Sequence, residues 1–232
     1  MSGSRLRRGQ QVERNREQLL AAARRVFLER GFHAATLDAI AEAAGFSKGV
    51  VYSQFDSKAD LFLALLERRI EERAADNARV AARAASVAEL LAAARRATAA
   101  EPEWNLLLLE FRVHAARVPE LNARYAALHE RTTERLAAAL RDAAHGRTAR
   151  PDVTPEVMAA FVLACAVGNT LEAMVAPRTP ARDELLGRMV VRALGFPDEP
   201  ASRAPARTAA SRAAARARTA APRGAARTRR TS

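Results

Sequence analysis

From Thr36 to Lys58 the chain reads TLDAIAEAAGFSKGVVYSQFDSK. Two short helical patterns meet here across Gly45-Phe46-Ser47. Thr36 is an N-cap candidate, because a threonine hydroxyl accepts from a free N–H of the first turn. Leu37, Ile40, Ala41 and Ala44 follow at three- and four-residue spacing and predict one apolar face. Gly45 supplies the positive φ that a helix exit needs. Ser47 is placed to cap a second helix, with Val50, Val51 and Phe55 as its apolar positions. Helix, glycine turn, helix is the helix-turn-helix layout, whose second helix enters the major groove of DNA.

The chemistry of the second helix suits that task. Ser47 stands at a helix N-terminus with free N–H groups, a natural phosphate contact. Lys48 has the reach for base edges or phosphate. Gly49 lets the helix lie close to the duplex, and Val50 fits a thymine methyl. Tyr52 and Gln54 are expected on the outward side, the phenol for a phosphate, the amide for adenine or phosphate. Lys58 suits the backbone. The competing reading of these side chains is an ordinary solvated helix face.

The residues around this stretch resemble the TetR family of transcriptional regulators. The resemblance rests on Gly31-Phe32, Thr36, Asp38-Ala39-Ile40-Ala41, Ala44-Gly45-Phe46-Ser47-Lys48-Gly49, Val51-Tyr52, Phe55, Ser57-Lys58 and Leu61, over roughly residues 12 to 62. Gln54 stands where many members carry His, and Val50 where many carry a small or hydroxylated residue. Both departures bear on the operator sequence rather than on the fold. The resemblance implies phosphate contacts at Thr36, Tyr52 and Lys58, and groove-facing positions at Lys48, Gly49, Val50 and Gln54. It implies a homodimer whose last two helices pair with their copies, a palindromic operator, and a small-molecule effector. It also implies that the fourth helix swings to set the spacing of two DNA-binding heads.

Outward from this stretch, Leu19, Leu20, Ala23, Phe27 and Leu28 form a core-facing stripe and predict a first helix over about 11 to 30, ended by Gly31. His33 is expected at the surface. Before the helix, residues 1 to 10 carry Arg5, Arg7 and Arg8 and read as a disordered basic arm, a minor-groove contact or a solvated leader. The fourth helix is expected from Ser57 to about Arg83, with Leu61, Phe62, Leu65, Leu66 and Ile70 on its first apolar face. Five further helices are expected over about 86 to 99, 102 to 117, 119 to 144, 154 to 175 and 180 to 194. Ser86 and Thr154 are their candidate N-caps, and Pro102, Pro119, Pro155 and Pro180 fall at or near their starts. No strand pattern and no repeat stands out, so the fold class is all-α. The expected domains are an N-terminal three-helix helix-turn-helix DNA-binding domain over 11 to 56 and a C-terminal helical ligand-binding and dimerisation domain over 57 to 196.

The segment Trp104 to Val113 is apolar nearly all round and is expected to be buried on several sides. A pocket lined by Trp104, Leu108, Phe111, Tyr125 and Phe161, with His114 or Asn169 as polar anchors, fits the usual make-up of ligand sites. The alternative is a packed core with satisfied polar groups. Cys165, the single cysteine, reads as a buried core thiol.

Net charge is +12, and nine of those units are the arginines after Pro200, a stretch without a carboxylate. Residues 197 to 232 lack large apolar side chains and are expected to be disordered. They read either as a polycation adding salt-sensitive DNA affinity or as a dispensable extension. One cysteine excludes an internal disulfide. No apolar run approaches the ~18 residues of a membrane span, so no membrane is expected and the location is read as cytoplasmic. No two histidines stand at i,i+3 or i,i+4, and nucleotide and zinc-protease motifs are missing, so no metal, cofactor or catalytic group is expected. Gly45-Phe46-Ser47-Lys48-Gly49 spells G-x-S-x-G, but that nucleophile motif needs a strand before its serine, and a helix precedes this one. The rival functions are an architectural DNA-binding protein driven by the basic tail, a helical enzyme or carrier, and a regulator answering to a protein partner. The last would have a filled C-terminal core.

Overall fold

Side-chain caps and prolines punctuate the chain into helices. The computed structural model describes residues 2–84, 86–144, 153–176 and 180–193, all within one unit spanning Met1–Phe196. The basic tail lies outside the described residues. The helices are α1 (Ser2–Ala34), α2 (Leu37–Ala44), α3 (Lys48–Tyr52), α4 (Lys58–Ala81), α5 (Val87–Ala99), α6 (Pro102–Ala115), α7 (Pro119–Ala143), α8 (Pro155–Ala173) and α9 (Pro180–Ala193). No strand occurs among the described residues. Thr36, Ser57, Ser86 and Thr154 each accept a backbone N–H three residues on, from Ala39, Asp60, Glu89 and Val157. Pro102, Pro119 and Pro155 occupy first-turn positions, where a missing N–H is harmless.

Two boundaries differ from expectation. Helix α1 begins at Ser2, so the segment with Arg5, Arg7 and Arg8 continues the helix instead of preceding it. Nothing between Ser2 and Gln11 breaks a helix except Gly3 and Gly9, and a glycine costs only about 1 kcal/mol there. Helix α3 ends at Tyr52, with Ser53 as its C-cap, so Gln54 lies beyond it.

Apolar packing does not follow a boundary at residue 56. One core joins α1, α2 and the first half of α4 to α6 and the start of α7. Its centre is aromatic: Phe27, Phe32, Phe62 and Phe111 are all buried. Phe62 stacks on Phe111 at 4.3 Å and meets the edges of Phe27 at 5.2 Å and Phe32 at 5.4 Å. Trp104 lies 6.2 Å from Phe62, nearly parallel to it. A second core joins the end of α4, α5, the end of α7, α8 and Val191 of α9 around Leu90, Leu140 and Met158. Between them α4 and α7 run together, with Arg131 bonded to Glu67 at 2.6 Å and Glu71 at 3.1 Å, and Arg135 to Glu71 at 3.1 Å. These pairs are exposed, so they add little stability and mainly set alignment.

Helix α6 is less enclosed than its sequence suggested. Trp104, Leu107, Phe111 and Ala115 are buried, but Leu106 and Val113 are open to solvent. Helix α8 is long and apolar enough to cross a membrane by length and composition, with a mean hydropathy of 1.4 despite its two glutamates. Met158 and Ala159 are buried in the second core. Val157, Phe161, Leu171 and Met174 point away from it.

Candidate functional site

The turn between α2 and α3 is built as a fixed corner. Gly45 adopts φ 72°, ψ 24°, and its N–H reaches back to the carbonyls of Ala41 and Glu42. Val51 and Phe55 anchor α3 on the head core. Asp38 of α2 hydrogen-bonds Lys48 of α3, and that bond and charge hold the lysine above its ordinary pKa. The other Asp38 oxygen is buried without a partner. From α1, Arg25 donates to the Ala43 carbonyl at 3.0 Å and so caps the end of α2.

This corner displays a strip of donors. Ser47, Lys48, Gly49 and Tyr52 are exposed, and the Ser47 hydroxyl makes no capping hydrogen bond. Thr36 is also exposed, its oxygen accepting from the Ala39 N–H at 3.1 Å while its O–H stays free to donate onward. Val50 is half-buried. The remaining two sites expected to contact DNA sit differently. Gln54 is half-buried, and its side-chain carbonyl oxygen is buried without a protein partner. Lys58 donates to the His33 carbonyl at 2.8 Å and lies 4.8 Å from the Phe32 ring, and burial lowers its pKa. It therefore ties α4 to the end of α1. His33 itself is exposed.

Below the head, α4 to α8, with Gly187 of α9, line a partly open cavity of about 280 Å³, near the small end of the ~300–1,000 Å³ typical of ligand pockets. Trp104, Leu108, Tyr125 and Asn169 line it, as does Cys165, which is half-buried rather than a core thiol. Phe111, His114 and Phe161 do not line it. Phe111 is fully buried in the aromatic core. His114 packs 5.1 Å from Phe32, and Phe161 is half-exposed on the outer side of α8. Sequence reasoning missed the contribution of α4 and α5, namely Leu66, Arg69, Ile70 and Arg73 with Leu91 and Arg95. Arg69 and Arg73 stand four residues apart beside Leu66 and Ile70, a spacing that a solvated face shows as well. Tyr125 is pushed above its ordinary pKa by burial, with Arg112 opposing. Burial, and then the charge of Arg112, hold His129 below its ordinary value.

Head and cavity meet through α6. Its Glu110 carboxylate accepts the Phe32 N–H at 2.8 Å, just after the break in α1 at Gly31 (φ 74°, ψ 171°). A β-carbon on Gly31 would lie 2.9 Å from that carboxylate. The same turn of that helix lends Leu108, Leu109 and Arg112 to the cavity.

Comparison with known proteins agrees with this architecture. The family model described as "Bacterial regulatory proteins, tetR family" matches residues 19–65, and "BetI-type transcriptional repressor, C-terminal" matches residues 83–195. The transcriptional activator FasR of Mycolicibacterium smegmatis is 51% identical over 67 residues, 28% of this chain and 31% of FasR, so the likeness spans under a third of that relative. The transcriptional repressor AcnR of Corynebacterium efficiens is 31% identical over 160 residues, covering 65% of this chain and 77% of AcnR. The solved structure of GusR from Salmonella enterica superposes with a TM-score of 0.62 at 25% identity, covering 78% of this chain and 95% of GusR. The matches take in both the head and the helices around the cavity, and the chain belongs to the TetR family of transcriptional regulators.

Proposed function

We propose that this regulator binds a palindromic DNA operator as a homodimer, acts as a repressor in the cytoplasm, and is released by a small, largely apolar effector held in the cavity. The observation that carries this reading is the double use of α6, which lines the cavity with Leu108 and Arg112 and holds the head through Glu110 and Phe111. An effector that favours one placement of α6 also favours one placement of the head, and operator affinity falls by that difference. A hollow C-terminal half fits a small molecule better than a protein effector.

Dimerisation is supported by the outer face of α8 and α9. Val157, Phe161, Leu171 and Met174, with Leu185 and Met189, leave a large apolar surface exposed, which a lone soluble chain rarely keeps. A β-carbon on Gly168, between them, would meet nothing within 4 Å in its own chain. A second copy fits this stripe better than lipid does, because Glu156 and Glu172 flank it. Phe161→Arg is expected to raise the dimer dissociation constant at least about a hundredfold, since a central aromatic is lost twice across a two-fold axis. Sedimentation equilibrium reads this directly, and an unchanged dimer would move the interface elsewhere.

On DNA, Ser47, Lys48, Gly49, Val50 and Tyr52 form the contact strip, with Thr36 on a phosphate. Lys48→Ala is expected to weaken operator binding about tenfold and to flatten its salt dependence by about one unit, at little cost in stability because its pair with Asp38 is exposed. Lys58→Ala should instead cost about 1–2 kcal/mol of stability through the lost cap on His33. If both variants change only DNA affinity, Lys58 swings out to the duplex in the complex.

A footprint on the DNA flanking the protein's own gene tests the whole reading, comparing the full chain with one ending near Glu199. A protected palindrome with both proteins supports it. The nine arginines after Pro200 favour one second reading, an architectural DNA-binding protein. Diffuse protection that needs the tail and vanishes with added salt would establish that instead.

A further inference from the structure

The cavity lining carries charge of one sign. Arg69, Arg73, Arg95, Arg112 and Arg135 all contribute to it, and among the described residues no aspartate or glutamate does. Arg69 pairs with Glu101 and Glu72, and Arg135 with Glu71, all carboxylates outside the cavity lining. Arg73 and Arg112 have weaker company. Arg73 is half-buried and donates to the Ala97 carbonyl at 3.4 Å, the outer limit of a hydrogen bond; burial and then the Arg69 charge lower its pKa, with the more distant Glu101 and Asp76 opposing. Arg112 lies 5.7 Å from the centre of the Tyr125 ring. A guanidinium partly withdrawn from water without a directly bonded anion is costly, and a matching carboxylate or phosphate relieves that cost through charge-assisted, often bidentate, hydrogen bonds.

The remaining wall is mostly hydrocarbon, with Leu66, Ile70, Leu91, Leu108 and Leu136 prominent, and carries the neutral polar groups of Asn77, Asn105, Asn169, Tyr125 and His129. Its threonine hydroxyls are turned to their own helices. Thr98, Thr132 and Thr170 donate to the carbonyls of Ala94, Leu128 and Ala166 at 3.0, 2.9 and 2.9 Å. Charged donors for an acidic head are, among the described residues, the arginines alone, while the body of a ligand meets leucine and isoleucine.

We infer that the cavity takes an amphipathic organic anion, its acidic head against Arg73 and Arg112 and its hydrocarbon body along Leu66, Ile70, Leu91 and Leu108. This rests on the cavity being the effector site, and it replaces an unspecified apolar effector with one bearing a single acidic end. A carboxylate and a phosphate monoester share the required chemistry. A cation of the same shape is repelled, and a neutral analogue leaves the guanidinium groups unanswered.

The test uses the full chain and four probes with one decyl chain: decanoate, decyl phosphate, decanol and decyltrimethylammonium, each below its micelle concentration. Trp104 is the only tryptophan and lines the cavity, so its fluorescence reports binding there and ignores anions adsorbed on the basic tail. At least one of the two anions is expected to bind at least about tenfold tighter than decanol, a difference of about 1.4 kcal/mol, with the ammonium weakest. The tighter of the two anions identifies the head as carboxylate or phosphate. Arg73→Met should bring the preference for anion over decanol to within about threefold, and Arg73→Lys should restore part of it. Arg112→Met provides the same comparison if Arg73→Met does not fold. Decanol equal to both anions, the ammonium tightest, or no probe altering Trp104 would each overturn the inference. Operator release measured alongside separates the two levels of the argument. Release by decanol as readily as by the anions sinks the anion assignment and keeps the effector switch. Tight anion binding without release keeps the assignment and sinks the switch.

Discussion

Phe62→Ala is expected to cost about 4 kcal/mol, the largest loss of any single substitution considered for this fold. Phe62 is fully buried at the start of α4 and touches aromatic rings from three other segments: Phe27 of α1, Phe32 after the α1 break, and Phe111 and Trp104 of α6. Its removal leaves a cavity among rigid rings that cannot collapse into it, and phenylalanine-to-alanine changes in such cores cost about 3–5 kcal/mol. Edge and stacking contacts, each about 0.5–1.5 kcal/mol beyond burial, are lost together. Urea unfolding followed by Trp104 fluorescence measures the change, at fixed protein concentration because association adds to apparent stability. Val113→Ala on the same α6, at 56% exposure, is the control and should stay within about 0.5 kcal/mol. Equal losses for the two would mean that the aromatic core is not packed as described.

Gly31→Val comes next, at about 3 kcal/mol or more. The glycine holds φ 74°, ψ 171°, a combination that costs other residues about 1–3 kcal/mol. A β-carbon there also lies 2.9 Å from the Glu110 carboxylate. The side chain must then displace the group that accepts the Phe32 N–H, and hydrogen bonds to charged groups are worth about 1.5–3 kcal/mol. The two causes can be separated. Glu110→Ala alone should show only the hydrogen-bond part. Gly31→Ala with Glu110→Ala should cost less than the sum of the single changes, because the steric conflict is removed with the carboxylate. Gly31→Ala within about 0.5 kcal/mol of the parent would count decisively against a glycine-only backbone at this corner.

Helix positions were legible in the sequence because their ends are written in chemistry. Ser57, Ser86 and Thr154 cap where a hydroxyl precedes an apolar repeat, and three prolines mark first turns. The donor strip of α3 was legible for a similar reason: Val51 and Phe55 are the apolar positions, so Ser47, Lys48 and Tyr52 must face away from them. Gln54 and Lys58 sit less openly than that strip. Gln54 follows the last turn of α3, where helical spacing no longer predicts direction, and the long stem of Lys58 bends back to a carbonyl twenty-five residues earlier. The cavity was read only in part. A segment that is apolar nearly all round does not say which side packs on the head, so Phe111 and His114 were placed with Trp104 and Leu108. Arginines spaced as Arg69 and Arg73 look the same on a solvated face and beside a cavity. The neighbours that distinguish these cases come from α5, α7 and α8.

The shared aromatic core also limits how this protein can be re-engineered. Residues 11–56 do not close their own interior, since Trp104, Leu107, Phe111 and Tyr125 complete it from afar in the chain. A chimera that grafts this head onto another regulator's body would expose the rings of Phe27 and Phe32 unless the matching face of α6 travels with it. Specificity for a new operator is therefore better sought by exchanging single side chains on α3 than by transplanting the head as a cassette.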